Sequence, residues 1–204
     1  MSQNQPPARI IEASPWHPSI ERLRSTLVAG SWALLEIARG AYADWKDQLP
    51  SPKEDLALRV EILAFFLHVS SRHAQRTGQV TRSEFLELLR PPMARDLIRA
   101  AWDSQPENPF QGQGIVQQWQ VAQVMQQMRE ADATYAACRE IAGQAINSTD
   151  HVVGRFVRRV FQALETLPSV EVARQMGHST LDIITRIRLP ALVQSAASRL
   201  NGHR

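Results

Sequence analysis

The segment that most constrains this chain is residues 52–76. Ser51-Pro52-Lys53-Glu54 opens it with a capping box and a proline at the first helical position. Its middle is then apolar on nearly every side, through Leu56, Leu58, Val60, Ile62, Leu63, Phe65, Phe66, Leu67 and Val69. A helix of that kind is stable only when neighbours cover it all round, so it must be central. Gly78 fits its C-terminal cap. The rest of the chain has to supply the cover, which points to a helical bundle.

The flanking segments have the spacing to do so. Ile20, Leu23, Leu27, Leu34, Ile37 and Ala41 recur at helical steps and predict a helix over about 19–48, ended by Pro50. Gly30-Ser31 interrupts that stripe, as a kink or as a close helix–helix contact. Thr81-Arg82-Ser83-Glu84 is a second capping box, opening a short helix that Pro91-Pro92 is expected to break. A further helix follows over about 92–103, and then a loop rich in Pro, Asn and Gly from Ser104 to Gly114. Val121, Val124 or Met125, Met128, Ala131, Tyr135 and Cys138 form one seam of a long helix over about 115–142. Three shorter helices are expected at about 150–166, 169–176 and 179–199, the last bent or split at Pro190. Strand-like alternation is absent, so the fold class is all-α, a multi-helix bundle of about six to eight helices. Residues 1–17, with four prolines by Pro18, read as an arm, and 18–147 as the bundle. Gly143 and Asn147 to Asp150 mark a joint before a basic helical subdomain over 148–204, set apart or packed on the bundle as one domain.

A chain of 204 residues with 44% hydrophobic content can close such a core. Cys138 is the only cysteine, which excludes an internal disulfide and suits a reducing, cytoplasmic compartment. No apolar run is long enough to span a bilayer, and the N-terminus lacks the order of a signal peptide, so no membrane partner is expected. Charge is unevenly placed. Residues 1–150 carry a net −2, whereas 151–204 carry eight arginines against three acids, a net +5. Such asymmetry marks a surface for a polyanion, or a subunit that docks on an acidic neighbour.

The most specific local pattern runs from Pro168 to Arg188, PSVEVARQMGHSTLDIITRIR. It resembles the helix-turn-helix of bacterial DNA-binding proteins. Ala173 stands where the second helix crosses the first, Gly177 stands at the turn, and Val172, Met176 and Ile183 match inward positions. Ser179 would cap the second helix, with Asp182 three residues on. His178 and Arg186 depart from the pattern, standing where apolar or inward residues are usual. The resemblance implies that Ser179, Thr180 and Thr185 approach base edges of duplex DNA, and that Arg158, Arg159, Arg174 and Arg188 contact phosphates. A plain hairpin of two capped helices fits the same residues. The stretch also resembles the Leu-Gly-His-Ser-Ser segment of tyrosine recombinases, with Arg155 in place but Ile187 where the nucleophilic tyrosine belongs.

Other chemistry is thinly signalled. There is no Glu-x-x-His or His-x-x-x-His pair, no Gly-rich phosphate loop and no Gly-x-Ser-x-Gly elbow, so neither metal, cofactor nor enzymatic activity is expected. Arg59, Glu61, His68 and Arg72 are the polar exceptions inside the apolar helix. They suit acid–base chemistry, or an internal ion-pair cluster or partly exposed rim. The glutamines of the 115–142 helix make an uncharged face, either solvated or a contact surface for a protein partner or for self-association. The expected function is a non-enzymatic DNA-binding or regulatory protein using 169–188, and the alternative is a helical adaptor or assembly subunit without nucleic-acid binding.

Overall fold

A computed structural model describes residues 17–46, 50–103, 118–138, 151–166 and 168–201. Among them are seven helices and no strand: α1 (Pro18–Lys46), α2 (Pro52–Arg76), α3 (Arg82–Asp103), α4 (Gln118–Ala136), α5 (Val152–Ala163), α6 (Val170–Arg186) and α7 (Leu189–Asn201). None is long and apolar enough to cross a membrane. The arm over 1–16 and the joint at Gly143 and Asn147 to Asp150 lie outside the described residues.

α2 is the axis of the bundle. It packs against α1, α3, α4, α5 and α7, and every residue from Leu58 to His68 is buried. Its start is the expected box: the Ser51 N–H donates to Glu54 Oε2 at 2.7 Å, and the Glu54 N–H donates to Ser51 Oγ at 3.3 Å. Gly78, at φ +68°, closes the other end in the left-handed conformation that a side chain would strain. Thr81 and Glu84 form the second box in the same way and start α3. One hydrophobic core takes side chains from all seven helices.

Three expectations are corrected. α3 runs through Pro91 and Pro92 without ending. Two helical hydrogen bonds are lost there, but the stripe Phe85, Leu89, Met93 and Leu97, spaced by four and buried throughout, holds both halves on one face. The helix expected to reach residue 142 turns at 137–138, where the Cys138 N–H donates to the Tyr135 carbonyl. Most important, 170–186 is one helix rather than two. Gly177 sits inside α6, buried, and Gly78 is the only described glycine with positive φ. Ser169 takes the capping role assigned to Ser179, accepting from the Val172 N–H at 3.2 Å. A glycine within a helix costs about 1 kcal/mol against alanine. Burial of Met176 and Thr180 on either side of it outweighs that local preference for a turn.

The real break comes at Ile187-Arg188. Arg188 adopts φ +51°, its N–H donates to the Thr185 carbonyl, and its own carbonyl accepts from Ala191 and Leu192. Pro190 therefore lies in the first turn of α7, where its missing N–H costs nothing, rather than bending a longer helix.

Gly30 marks a close contact and not a kink. α1 is continuous through it, and a Cβ built there would stand 3.3 Å from Phe66 Cζ and 3.6 Å from Ile183 Cγ2. Gly40, in the same helix, has nothing within 4 Å. Two substitutions therefore part company. Gly30→Ile should wedge α1 from α2 and α6 and destabilise by about 1–3 kcal/mol. Gly40→Ala should stabilise by about 0.5–1 kcal/mol through helix propensity alone. Urea midpoints for both variants check the pair, and a harmless Gly30→Ile would place α1 elsewhere.

Candidate site at the α1–α7 groove

Two of the polar exceptions on α2, Glu61 and His68, each tie that helix to its neighbours. Glu61 accepts from Tyr135 Oη of α4, and both Arg159 Nε and Nη2 of α5 donate to its carboxylate at 2.7 and 2.8 Å. Burial, and then the Glu61 charge, push the Tyr135 phenol well above its usual range. His68 lies about two turns on and is fully buried, with Nδ1 2.8 Å from Asp132 Oδ1. Because a carboxylate only accepts, Nδ1 carries the proton, and among the described residues the buried Nε2 has no hydrogen-bond partner. Arg82 also grips Asp132, and Arg90 stands 3.9 Å from its other oxygen. With His68 sealed in the core, this cluster joins α2, α3 and α4 rather than meeting a substrate. Among the described residues no group of three or more His, Cys, Asp or Glu side chains is placed to hold a metal ion.

The DNA-reading residues do not form one surface. Thr180 is fully buried, and its hydroxyl donates back to the Met176 carbonyl. Arg159 is committed to Glu61. Arg174 is exposed and chelates Glu171, whose hydrogen bonds hold that carboxyl below the usual range. Ser179 is half-buried, Thr185 is exposed but bonded to the Leu181 carbonyl, and Arg158 is exposed on α5. Ile183, Ile184 and Ile187 all pack against the core, so the outward face of α6 is narrow and carries the acidic Asp182.

Arg188 alone of that set falls in an open groove. The groove lies where α1 and α7 begin and α6 ends, and measures about 1150 Å³ with its mouth. Arg22 of α1 lines it together with Arg186 and Arg188, the hydroxyls of Ser19 and Ser195 and the apolar side chains of Ile187, Ala191 and Leu192. Among the described residues no acidic one lines it. Arg186 is 77% exposed and paired with Asp182 at 2.8 Å, an exposed i,i+4 pair worth only about 0.3–0.5 kcal/mol, so it is easily recruited elsewhere. Sequence reasoning missed Arg22, which stands beside Glu21 and Arg24 at the start of a helix far away in the chain and carries no signal of its own. Comparison with family models, with curated proteins and with solved structures finds no significant match.

The His68 geometry sets a pH dependence. Burial lowers its pKa below 6.5, and Asp132 opposes this only in part. The unfolded chain therefore takes up the proton first. Stability is unaffected above about pH 7 and falls as pH drops through 6.5 toward the lowered folded value. Loss of the depressed Asp132 carboxylate follows at more acidic pH. His68→Gln keeps a donor for Asp132 without titrating, so it should flatten the slope of unfolding free energy between about pH 7 and pH 5. An unchanged slope in that variant would assign the dependence to other groups.

Proposed function

We propose that the chain is a non-enzymatic helical adaptor, or assembly subunit, that receives an acidic segment of a partner protein in the α1–α7 groove. The mixed lining of that groove carries the reading. Arg22 and Arg188, beside an Arg186 held only by an exposed pair with Asp182, call for a negative partner, while Ile187, Ala191 and Leu192 call for apolar side chains between the acids. A phosphate backbone offers the first and not the second. The positive balance of residues 151–204 suits the same partner. The free, buried Cys138 is consistent with a reducing cytoplasm.

Duplex DNA is the second reading, favoured by that charge balance. It would now rest on phosphate contacts rather than on base reading through 169–188.

The test is fluorescence anisotropy with two probes. One is a labelled helical peptide bearing Glu on one face and Leu at three- and four-residue steps, and the other is a duplex of two helical turns. The adaptor reading predicts saturable binding of the peptide, lost on double reversal of Arg22 and Arg188 to Glu. Arg188→Gly adds an internal check. Glycine tolerates φ +51° at no steric cost, so this variant should be more stable, by up to about 1 kcal/mol, yet bind several-fold more weakly. Tighter binding of the duplex than the peptide, with steep loss on added salt, would favour the DNA reading. Binding of neither would remove the groove as a docking site.

A further inference from the structure

The donors lining the α1–α7 groove outnumber what a carboxylate can use. Arg22, Arg186 and Arg188 bring three guanidiniums, and the hydroxyls of Ser19 and Ser195 line the same groove. A carboxylate has two oxygens, and one guanidinium fork answers both. A phosphate ester on a side chain has three terminal oxygens and a charge near −2 at neutral pH. The charge to be met is of that size. Among the described residues neither Arg22 nor Arg188 has an ion-pair partner, so two positive charges stand unanswered in the groove. Glu21, next to Arg22 in the chain, pairs with Arg24 at 3.2 Å.

The backbone around the groove supports the same ligand. Both α1 and α7 open there, with Ser19 in the first turn of one and Ala191 and Leu192 in the first turn of the other. The positive ends of two helix dipoles therefore add to the arginines. The first amides of α1 are already used, since the N–H groups of Ser19, Ile20 and Glu21 all donate to His17. Side chains, not bare helix ends, carry the recognition. Arg188 leaves a fixed backbone, because its N–H and its carbonyl are both bonded where α6 passes to α7. A positioned guanidinium of this kind loses less freedom on binding than one on a loose loop.

Resting on the reading of this groove as a docking site, we infer that the segment it receives is phosphorylated, a phosphoserine or phosphothreonine with its phosphate on Arg22 and Arg188. Arg186 leaves its exposed pair with Asp182 to join them, and the Ser19 and Ser195 hydroxyls donate to the remaining oxygens. Apolar residues beside the phosphorylated one pack on Ile187, Ala191 and Leu192. Docking is then conditional, because adding the phosphate to the partner switches it on.

The test uses the full chain and three forms of one labelled helical peptide, identical except for Ser, Glu or phosphoserine at a central position among leucines. Anisotropy should rank them phosphoserine, Glu, Ser, with phosphoserine about tenfold or more tighter than Glu, as expected for added charge-assisted hydrogen bonds. Arg22→Gln and Arg188→Gln should each remove most of that margin. Ser19→Ala combined with Ser195→Ala leaves every arginine in place. It should weaken the phosphopeptide several-fold and leave the Glu peptide unchanged, which separates recognition of oxygens from bulk charge. Equal binding of the phosphoserine and Glu forms would overturn the inference and leave the acidic-segment reading standing. Binding of the phosphoserine form alone would support the inference and remove carboxylates as the groove's ligand. Binding of none of the three would overturn both. Displacement of the phosphopeptide by an equal concentration of inorganic phosphate would assign the groove to a free anion, and tighter binding of a duplex than of the phosphopeptide would assign it to a nucleic-acid backbone. Either result overturns the phosphorylated segment.

Discussion

Phe65 stands where α2, α4 and α5 meet. It stacks on Phe156 with ring centroids 4.1 Å apart and takes the edges of Phe66 and Tyr135 at 5.9 and 5.8 Å. Apolar burial of this sort is non-directional and would tolerate several rotations of α2. The polar residues along that helix remove the freedom. Glu61 must meet Arg159 and Tyr135, His68 must meet Asp132, Asp55 must meet Arg39, and Arg59 must meet Trp32. Breaking a buried pair by removing one partner costs about 3–5 kcal/mol, so each tie excludes a wrong register even where it adds little net stability. The aromatic cluster supplies the driving force and the ion pairs choose the arrangement.

That arrangement decides which surfaces are left for function. Once α1 and α2 are fixed, α6 closes against the Gly30 side of α1 through Ile183 and Ile187. The inward isoleucines and buried Thr180 leave α6 without a recognition face, and its outer charges answer one another as Glu171–Arg174 and Asp182–Arg186. Uncompensated positive charge is moved instead to the junction with α7, where Arg188 sits in a left-handed conformation that glycine would hold more cheaply.

The locally encoded features were the readable ones. The boxes at Ser51–Glu54 and Thr81–Glu84, the cap at Gly78 and the all-round apolarity of 58–67 each depend on residues within one or two turns. Misreadings arose where a local preference met a packing demand. Pro91-Pro92 and Gly177 carry breaker or turn signals of at most a few kcal/mol, and buried stripes on both sides of them are stronger. Gly30 could be narrowed to two readings but not decided, since its neighbours Phe66 and Ile183 are distant in the chain. The candidate site was illegible for the same reason. Arg22 and Arg188 acquire meaning only when separate helices bring them together.

The central claim is that 170–186 is a structural helix closing the core and not a pair of helices presenting one of them to DNA. Native-state amide exchange, read residue by residue along α6, tests it most directly. A continuous helix predicts protection that runs unbroken from Arg174 to Ile183, with helical Cα shifts at Gly177, His178 and Ser179. Rapid exchange confined to Gly177–Ser179, with a positive-φ signature at Gly177, would contradict it and restore the two-helix arrangement.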